Sequence, residues 1–209
     1  MYYTGIGSRE TPSEVLGIME DAALRLATIG WVLRSGKAAG ADAAFQLGVQ
    51  AYCRKHGIGE SSALGKAEIY TPWKSFGTPG LLDWWDINLE YLNKLMPNQI
   101  EERNRLLSEI HPNYAALENK RGPFALHSRN MHQVLGANIL DPRPSKFCLY
   151  FAKEDKDGNP KGGTATAVNL AKRHSVRTLN LNTPERLEVL ENFLSSMEKK
   201  HGVKIQEKA

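Results

Sequence analysis

The chain has 209 residues, of which 41% are hydrophobic, and its formal net charge is +4. This composition supports one large domain with a packed core, and no run of residues approaches the ~20 apolar positions that a membrane span needs. The first residues, Met1 to Gly5, lack the basic and apolar regions of a secretory signal, so we expect a cytoplasmic protein that does not enter membranes. Cys53 and Cys148 are expected to be buried free thiols in a reducing compartment, and we expect neither a metal ion nor a cofactor.

The predicted elements of the first third of the chain alternate between strands and helices. Apolar residues recur at helical spacing after Pro12, and a capping box formed by Thr11 and Glu14 marks the start of that helix. The elements predicted up to position 72 are, in order, a strand beginning at Tyr2, a helix over residues 12–29, a short strand over 31–34, a helix from about Ala41 to His56, and a strand over 68–71.

The pattern changes between about residues 73 and 123, and we interpret this segment as an insert. Trp73, Trp84 and Trp85 stand among glycine, proline and aspartate residues there, and a charged helix is predicted from about Asn98 to Ile110. The insert could form a lid, a dimer contact or a wall for a ligand, with one of its aromatic residues stacked on a base. Alternatively, its tryptophans pack the insert onto the core.

The alternation of strands and helices resumes near Phe124. The elements predicted from there are a helix ending at about Leu135, a buried strand over 146–152, a surface turn over 155–160, a helix over 164–174, a strand over 176–181, a last helix from Thr183, and a solvent-exposed basic end from Lys199 to Lys208. Strands that alternate with helices predict an α/β fold. We expect a Rossmann-like, doubly wound, mainly parallel sheet with helices on both faces, forming a single domain over residues 1–209.

Three glycine-punctuated turns lie where a predicted strand leads into a predicted helix. They are Gly5-Ile6-Gly7-Ser8-Arg9, Ser35-Gly36-Lys37-Ala38-Ala39-Gly40-Ala41-Asp42 and Gly162-Gly163-Thr164-Ala165-Thr166-Ala167. Glycine lets a backbone approach a ligand closely, and a helix N-terminus behind it offers unpaired N–H groups with a partial positive charge. Such turns meet at the carboxyl ends of the strands in an open α/β sheet, so they predict a shared rim that binds phosphate.

Several residues of these turns are candidates for contact with a ligand. The set comprises Gly5, Gly7, Ser8, Arg9, Ser35, Gly36, Lys37, Ala38, Gly40, Asp42, Gly162, Gly163, Thr164 and Thr166. The hydroxyl groups in this set could bind phosphate or ribose oxygens, or could cap helices. Arg9 could pair bidentately with phosphate or stay in solvent. Asp42 could complement the dipole of its own helix or accept hydrogen bonds from ribose hydroxyls or a base amine.

A second group of candidates lies in the polar middle of the apolar stretch near residue 129. Arg129 and Asn130 are predicted to begin a helix and to contact the ligand from the side. His127 and His132 are five residues apart and therefore point in different directions on a helix. We expect them to be surface or packing residues and not a pair of metal ligands.

These residues resemble the SLOG superfamily, the Rossmann-like group that includes DNA-processing protein A and the LOG nucleotide phosphoribohydrolases. The resemblance covers about residues 1–72 and 124–200. Gly7-Ser8-Arg9 and residues 35–42 are similar to two turns of the core of DNA-processing protein A, and residues 162–167 resemble glycine–threonine turns of both groups. The resemblance implies a doubly wound fold, a pocket for nucleotide-type ligands or nucleic-acid phosphates, and a homo-oligomer.

One departure from the LOG pattern shapes the functional hypothesis. The LOG enzymes carry a glutamate just after their glycine turn, where this chain has Ala165, Thr166 and Ala167. We therefore hypothesise a non-catalytic protein that binds a small phosphorylated nucleoside, such as a signalling nucleotide that it senses or sequesters. One alternative is binding of single-stranded nucleic acid. Another is a nucleotide N-glycosidase or phosphoribohydrolase in which Asp42 acts as the catalytic carboxylate.

Overall fold

The computed structural model of the chain describes residues 1–203, and six strands in that range form a parallel sheet. They are β1 (Tyr2–Gly7), β2 (Val32–Ser35), β3 (Ala67–Thr71), β4 (Asp86–Asn88), β5 (Phe147–Phe151) and β6 (Arg177–Asn180). The strand order is β4-β3-β2-β1-β5-β6, and every neighbouring pair is parallel. The part of the predicted basic end from residue 204 onward lies outside the described residues.

Nine helices lie within the described residues. They are α1 (Ser13–Thr28), α2 (Ala41–Lys55), α3 (Glu60–Ala63), α4 (Leu89–Leu95), α5 (Gln99–Ile110), α6 (Tyr114–Glu118), α7 (Arg121–Leu135), α8 (Thr164–Arg173) and α9 (Pro184–Lys200). None of the helices in this part of the chain combines the length and the apolar character that a bilayer crossing requires. Cys53 in α2 and Cys148 in β5 are buried free thiols, and burial raises the pKa of each.

Helices cover both faces of the sheet. Residues of α1, α2 and α9 form one core cluster with Tyr3 of β1. Residues of α5, α7 and α8 form a second cluster with Ile6 of β1, which points to the opposite face. Strands buried on both faces are rich in apolar residues, as in the Phe147–Phe151 strand. The predicted α/β class, with a Rossmann-like, doubly wound sheet, is confirmed.

The direction in which the sheet grows reverses beside β1. Strands β2, β3 and β4 extend the sheet on one side of β1, and β5 and β6 extend it on the other. The carboxyl ends of β1 and β5 are neighbours, since Gly7 pairs with Phe151 and the Ser8 amide donates to the Phe151 carbonyl oxygen at 2.9 Å. Ligands of open α/β sheets bind in the crevice at such a reversal.

Two local predictions were wrong. Arg129 and Asn130 do not begin a helix, because α7 starts at Arg121 and both residues lie beyond its middle. Helix α7 accommodates Pro123 because this proline lies in the first turn, where a backbone N–H would have no intrahelical acceptor. The capping box at α1 also does not form: Pro12 is the N-cap without a side-chain cap, and the Thr11 hydroxyl donates to the Ser8 carbonyl oxygen at 2.8 Å.

The segment predicted as an insert contributes β4 to the sheet edge and α4, α5 and α6 to the helical layer. Trp85 is 3% exposed, and its Nε1 donates to the carbonyl oxygen of Ala63 at 2.8 Å. Trp84 packs against the same core cluster. These two tryptophans therefore fasten the segment to the core, as one of the two interpretations expected, while Trp73 lies against Phe76.

Candidate functional site

All three glycine turns border one cavity of about 530 Å³. Gly7 and Ser8 come from the turn after β1, Ala38 comes from the turn after β2, and Gly162 and Gly163 come from the turn before α8. The cavity lies at the carboxyl ends of β1 and β5, where the sheet reverses its direction of growth. The fold thus brings together three turns that are far apart in sequence.

The predicted site residues divide into two groups according to their position. Ten line the cavity: Gly7, Ser8, Arg9, Ala38, Asp42, Arg129, Asn130, Gly162, Gly163 and Thr164. Six do not line it: Gly5, Ser35, Gly36, Lys37, Gly40 and Thr166. Ligand contact by any of them stays a prediction.

Three of the residues outside the lining make contacts that hold the turns in place. The Ser35 hydroxyl donates to the Gly5 carbonyl oxygen at 2.6 Å, which ties the end of β2 to β1. Lys37 is 7% exposed, and its Nζ donates to Asp86 Oδ2 at 2.5 Å. Its charge is therefore neutralised within the protein. Thr166 is buried, and its hydroxyl lies 2.7 Å from Nδ1 of His127.

Asp42 and Arg129 form a buried ion pair in the cavity wall. Arg129 Nη1 donates to Asp42 Oδ2 at 3.1 Å and to the Gly36 carbonyl oxygen at 2.6 Å. The other carboxylate oxygen of Asp42 accepts the Gly7 amide at 3.2 Å. Burial raises the pKa of Asp42, while the Arg129 charge and the Gly7 amide oppose that shift. The pair connects α7 with the turns after β1 and β2.

Glycine is required at two positions of the second turn because other segments of the protein approach the backbone closely there. A Cβ atom at Gly36 would lie 1.3 Å from Arg129 Nη1, so the guanidinium could not reach the turn past a side chain. Gly40 has a φ of +81°, and a Cβ there would lie 2.5 Å from the Ser8 carbonyl oxygen. These glycines therefore let the protein's own segments meet, which is a different role from contact with a ligand.

The third turn presents the N-terminus of α8 to the cavity. Gly163 is the N-cap of this helix, and no side chain caps its first amides. Asn130 Nδ2 donates to the Gly163 carbonyl oxygen at 3.0 Å, which fixes the turn against α7. Gly163 and Thr164 both line the cavity. An uncapped helix N-terminus that opens on a cavity is a favourable position for an anion.

Positive side chains border the same cavity. Among residues 1–203, no carboxylate lies within ion-pair distance of Arg9 or Lys161, and both residues line the cavity. Lys153 also lines it and pairs with Glu10 at 3.3 Å, with the two side chains 75% and 77% exposed. Solvent screens such a surface pair. The lining therefore has cationic groups that can take an anionic partner.

Sequence reasoning missed five polar lining residues: Glu10, His127, Gln133, Lys153 and Lys161. His127 and Gln133 lie within one turn of Asn130 on α7, so helical periodicity around the predicted Asn130 was an available signal. Lys153 lies two residues after the end of β5, and Lys161 directly precedes Gly162. Nothing in the sequence separates these two residues from other surface lysines. Burial lowers the pKa of His127 to about 4, so its ring is neutral at pH 7. Within residues 1–203, no three histidine, cysteine or acidic side chains gather as metal ligands.

Comparison with known proteins identifies one similar solved structure and no family. No family model matches the chain, and no curated protein matches it. The fold is similar to that of DNA processing protein A from Helicobacter pylori, a structure described by its single-stranded DNA binding mode. The identity is 16%, the TM-score is 0.48, and the match covers 96% of this chain and 81% of the other.

Proposed function

We propose that the cavity at the ends of β1 and β5 binds a small phosphorylated nucleoside. The observation that carries the proposal is the convergence of an uncapped helix N-terminus and two cations without ion-pair partners, Arg9 and Lys161, on one cavity. Its volume of about 530 Å³ is within the range of ordinary small-molecule pockets.

The phosphate group occupies the N-terminal end of α8 in this proposal. The amides of Gly163 and Thr164 and the Thr164 hydroxyl donate to its oxygens, and Arg9 and Lys161 neutralise its charge. The nucleoside lies along α7, where Leu126 and Pro123 offer apolar surface. His127 and Gln133 supply polar groups beside it.

The proposal contains no bond cleavage, because the candidate carboxylate is already engaged. Both oxygens of Asp42 accept hydrogen bonds, from Gly7 and from Arg129. A general acid or base has to reach the proton that it transfers. The enzyme alternative requires Asp42 to leave this pair. Release of free base from a nucleoside monophosphate by the purified protein, abolished in Asp42→Asn, would support that alternative against ours.

A base stacked on an aromatic residue of the insert is not part of the proposal. Among the described residues, none of the four tryptophans lines this cavity, and His127 is its only ring apart from Pro123. Trp73 instead lines a second cavity on the other side of α7. We therefore expect recognition of the base by polar groups and apolar contact, with weak discrimination between bases.

Calorimetric titration tests the proposal. Adenosine and guanosine 5′-monophosphates are expected to bind at least about tenfold more tightly than the matching nucleosides, because charged hydrogen bonds contribute roughly 1.5–3 kcal/mol. Arg9→Gln and Lys161→Gln are each expected to weaken nucleotide binding about tenfold. Lys156→Gln is the matched control, since Lys156 is exposed on the turn over residues 155–160 and lies outside the lining.

Two results would contradict this proposal. One is equal affinity for nucleotides and nucleosides, since the phosphate site would then contribute nothing. The other is an absence of nucleotide binding at millimolar concentration in a protein whose folded state is verified by circular dichroism.

The exposed cations at the mouth of the cavity also favour a second candidate function. Arg9 and Lys153 are exposed and could follow a phosphodiester chain that enters the cavity at one nucleotide. Single-stranded binding of this kind falls steeply with salt. Fluorescence anisotropy with a labelled oligothymidylate at low salt tests it: a flat titration removes this candidate, whereas tight binding that is lost in Arg9→Gln would place it ahead of the nucleotide.

A further inference from the structure

A second cavity, of about 670 Å³, lies on the opposite side of α7 from the first. Its lining comes from the end of β3, from α4, from α5 and from the α6–α7 region. Its lining residues on α7 include Phe124, Ala125 and Ser128, whereas those of the first cavity include Leu126, Arg129 and Asn130. The two cavities therefore use different faces of one helix.

Arg103 of α5 lines this second cavity and is only 3% exposed. Its Nη1 donates to Asn93 Oδ1 at 2.6 Å and its Nη2 to Asn104 Oδ1 at 3.4 Å, so both partners are neutral amides. Its Nε is buried without a hydrogen-bond partner among the described residues. Burial lowers the pKa of Arg103 to about 10, which leaves the guanidinium charged at pH 7.

A buried charge without a counter-ion is costly, and proteins compensate such charges by pairing them. No carboxylate lies within ion-pair distance of Arg103 in the described part of the chain, although the arginines elsewhere in the core, Arg34 and Arg129, each have one. Arg103 is therefore a buried cation whose charge no carboxylate of the described residues balances.

Ser128 supplies a second unpartnered group in the same cavity. It is 1% exposed, and its hydroxyl oxygen has no hydrogen-bond partner among the described residues. Ser128 and Arg103 both line the cavity. A hydroxyl and a guanidinium together match the two oxygens of a carboxylate.

The apolar character and the charge of the other lining residues favour some classes of anion over others. Pro72, Trp73, Leu89, Phe124 and Ala125 form an apolar and aromatic wall. Glu90, Glu118 and Arg121 also line the cavity, and all three are exposed, so together they carry one net negative charge. That net charge disfavours a multiply charged phosphate but tolerates a single carboxylate placed at the buried arginine. Aromatic side chains favour an aromatic ligand body.

We propose that this second cavity is a binding site for a small aromatic monocarboxylate, whose carboxylate pairs with Arg103 and Ser128 and whose ring packs against Trp73 and Phe124. The site is independent of the nucleotide function proposed above, because no residue is shared by the two linings.

Phenylacetate is the probe, and its binding is measured by calorimetry and by the change in tryptophan fluorescence. It is expected to bind with a dissociation constant in the millimolar range or tighter. Phenylacetamide, which has the same shape without the charge, is expected to bind at least about tenfold more weakly. Phenyl phosphate is expected to bind more weakly than phenylacetate because of its second charge. Equal binding of phenylacetate and phenylacetamide would overturn the proposal.

Two variants locate the probe. Arg103→Met removes the charge and is expected to abolish measurable binding, while Ser128→Ala is expected to weaken it roughly threefold to tenfold. Arg105→Gln is the matched control on the same helix, because Arg105 is exposed and lies outside the lining. If Arg103→Met does not fold, the affinity of Ser128→Ala for phenylacetate tests the proposed site by itself. Unchanged affinity in the folded variants, or no binding of phenylacetate to the wild-type protein, would refute the proposed site.

Discussion

At the scale of single residues, the ion pair of Asp42 and Arg129 lies buried in the wall of the cavity at the ends of β1 and β5. Their side chains are 4% and 8% exposed, so neither charge is well hydrated. Arg129 reaches the turn after β2 through its bond to the Gly36 carbonyl oxygen, and Asp42 reaches the turn after β1 through the Gly7 amide. Three segments of the wall therefore depend on one ion pair.

We expect Asp42→Asn to lower the free energy of unfolding by about 3 kcal/mol, because the variant leaves the Arg129 charge buried and unpaired. Urea denaturation measures the effect. Glu10→Gln, which removes the exposed partner of Lys153, is the control and is expected to cost less than about 1 kcal/mol. Equal effects of the two substitutions would show that the buried pair does not stabilise the fold as described.

At the scale of elements, substitution of alanine for two glycines within helices is expected to change the free energy of unfolding in opposite directions. Gly17 in α1 is exposed, and a Cβ there would have no atom within 4 Å. Gly48 in α2 faces α1, where a Cβ would lie 2.1 Å from the Glu20 carbonyl oxygen and 2.7 Å from Ala23 Cβ. The close packing of α1 on α2 therefore depends on Gly48 and not on Gly17.

Gly17→Ala is expected to raise the free energy of unfolding by about 0.5–1 kcal/mol, through the better helix propensity of alanine. Gly48→Ala is expected to lower it by about 1–3 kcal/mol, because the helices have to separate. Thermal and urea unfolding of the two variants check both signs. A gain in stability from Gly48→Ala would contradict the observed helix contact.

Most long elements could be predicted from the sequence because hydrophobic periodicity is strong in them. Helices α1, α2, α5 and α9 and strand β5 lie within a few residues of the predicted bounds. Strand β4 was not predicted, because it has only three residues, Asp86, Ile87 and Asn88, and two of them are polar. Its place in the sheet comes from pairing with β3, which no local pattern encodes.

The candidate site was predictable only where a local motif marks it. Paired glycines pointed to the three turns, and these turns do share a cavity. The sequence could not separate residues that line the cavity from residues that hold its wall, such as Lys37, whose partner Asp86 is 49 positions away. Arg103 gave a weaker signal: it occupies the inner face of a helix together with Leu106 and Leu107, where an apolar residue would be usual.

At the scale of the whole molecule, buried histidines make stability depend on pH. His132 is fully buried, and burial lowers its pKa to about 4 from an ordinary value of 6.5. Its Nδ1 lies 3.0 Å from the Gly136 carbonyl oxygen, and its ring stacks on Tyr70. Because the unfolded chain takes up the proton first, stability is complete above about pH 6.5 and falls as the pH drops towards 4.

The loss attributable to His132 is about 3 kcal/mol between these limits. His132→Gln retains a donor for Gly136 but does not titrate, so we expect a flatter dependence of the free energy of unfolding on pH. Urea denaturation at several pH values between 4 and 7 measures it. His56→Gln, at an exposed ring, is the control. An unchanged slope in His132→Gln would contradict the assigned cause.

The central position of β1 has a consequence for how the protein is made. Strand β1 is flanked by β2, which follows within 35 residues, and by β5, since Thr4 pairs with Cys148. One half of the sheet can assemble during synthesis, while the other edge of β1 waits for most of the chain to appear. The cavity at the ends of β1 and β5 has both of its walls only after that late pairing, so the site forms later than the half of the sheet that contains β2.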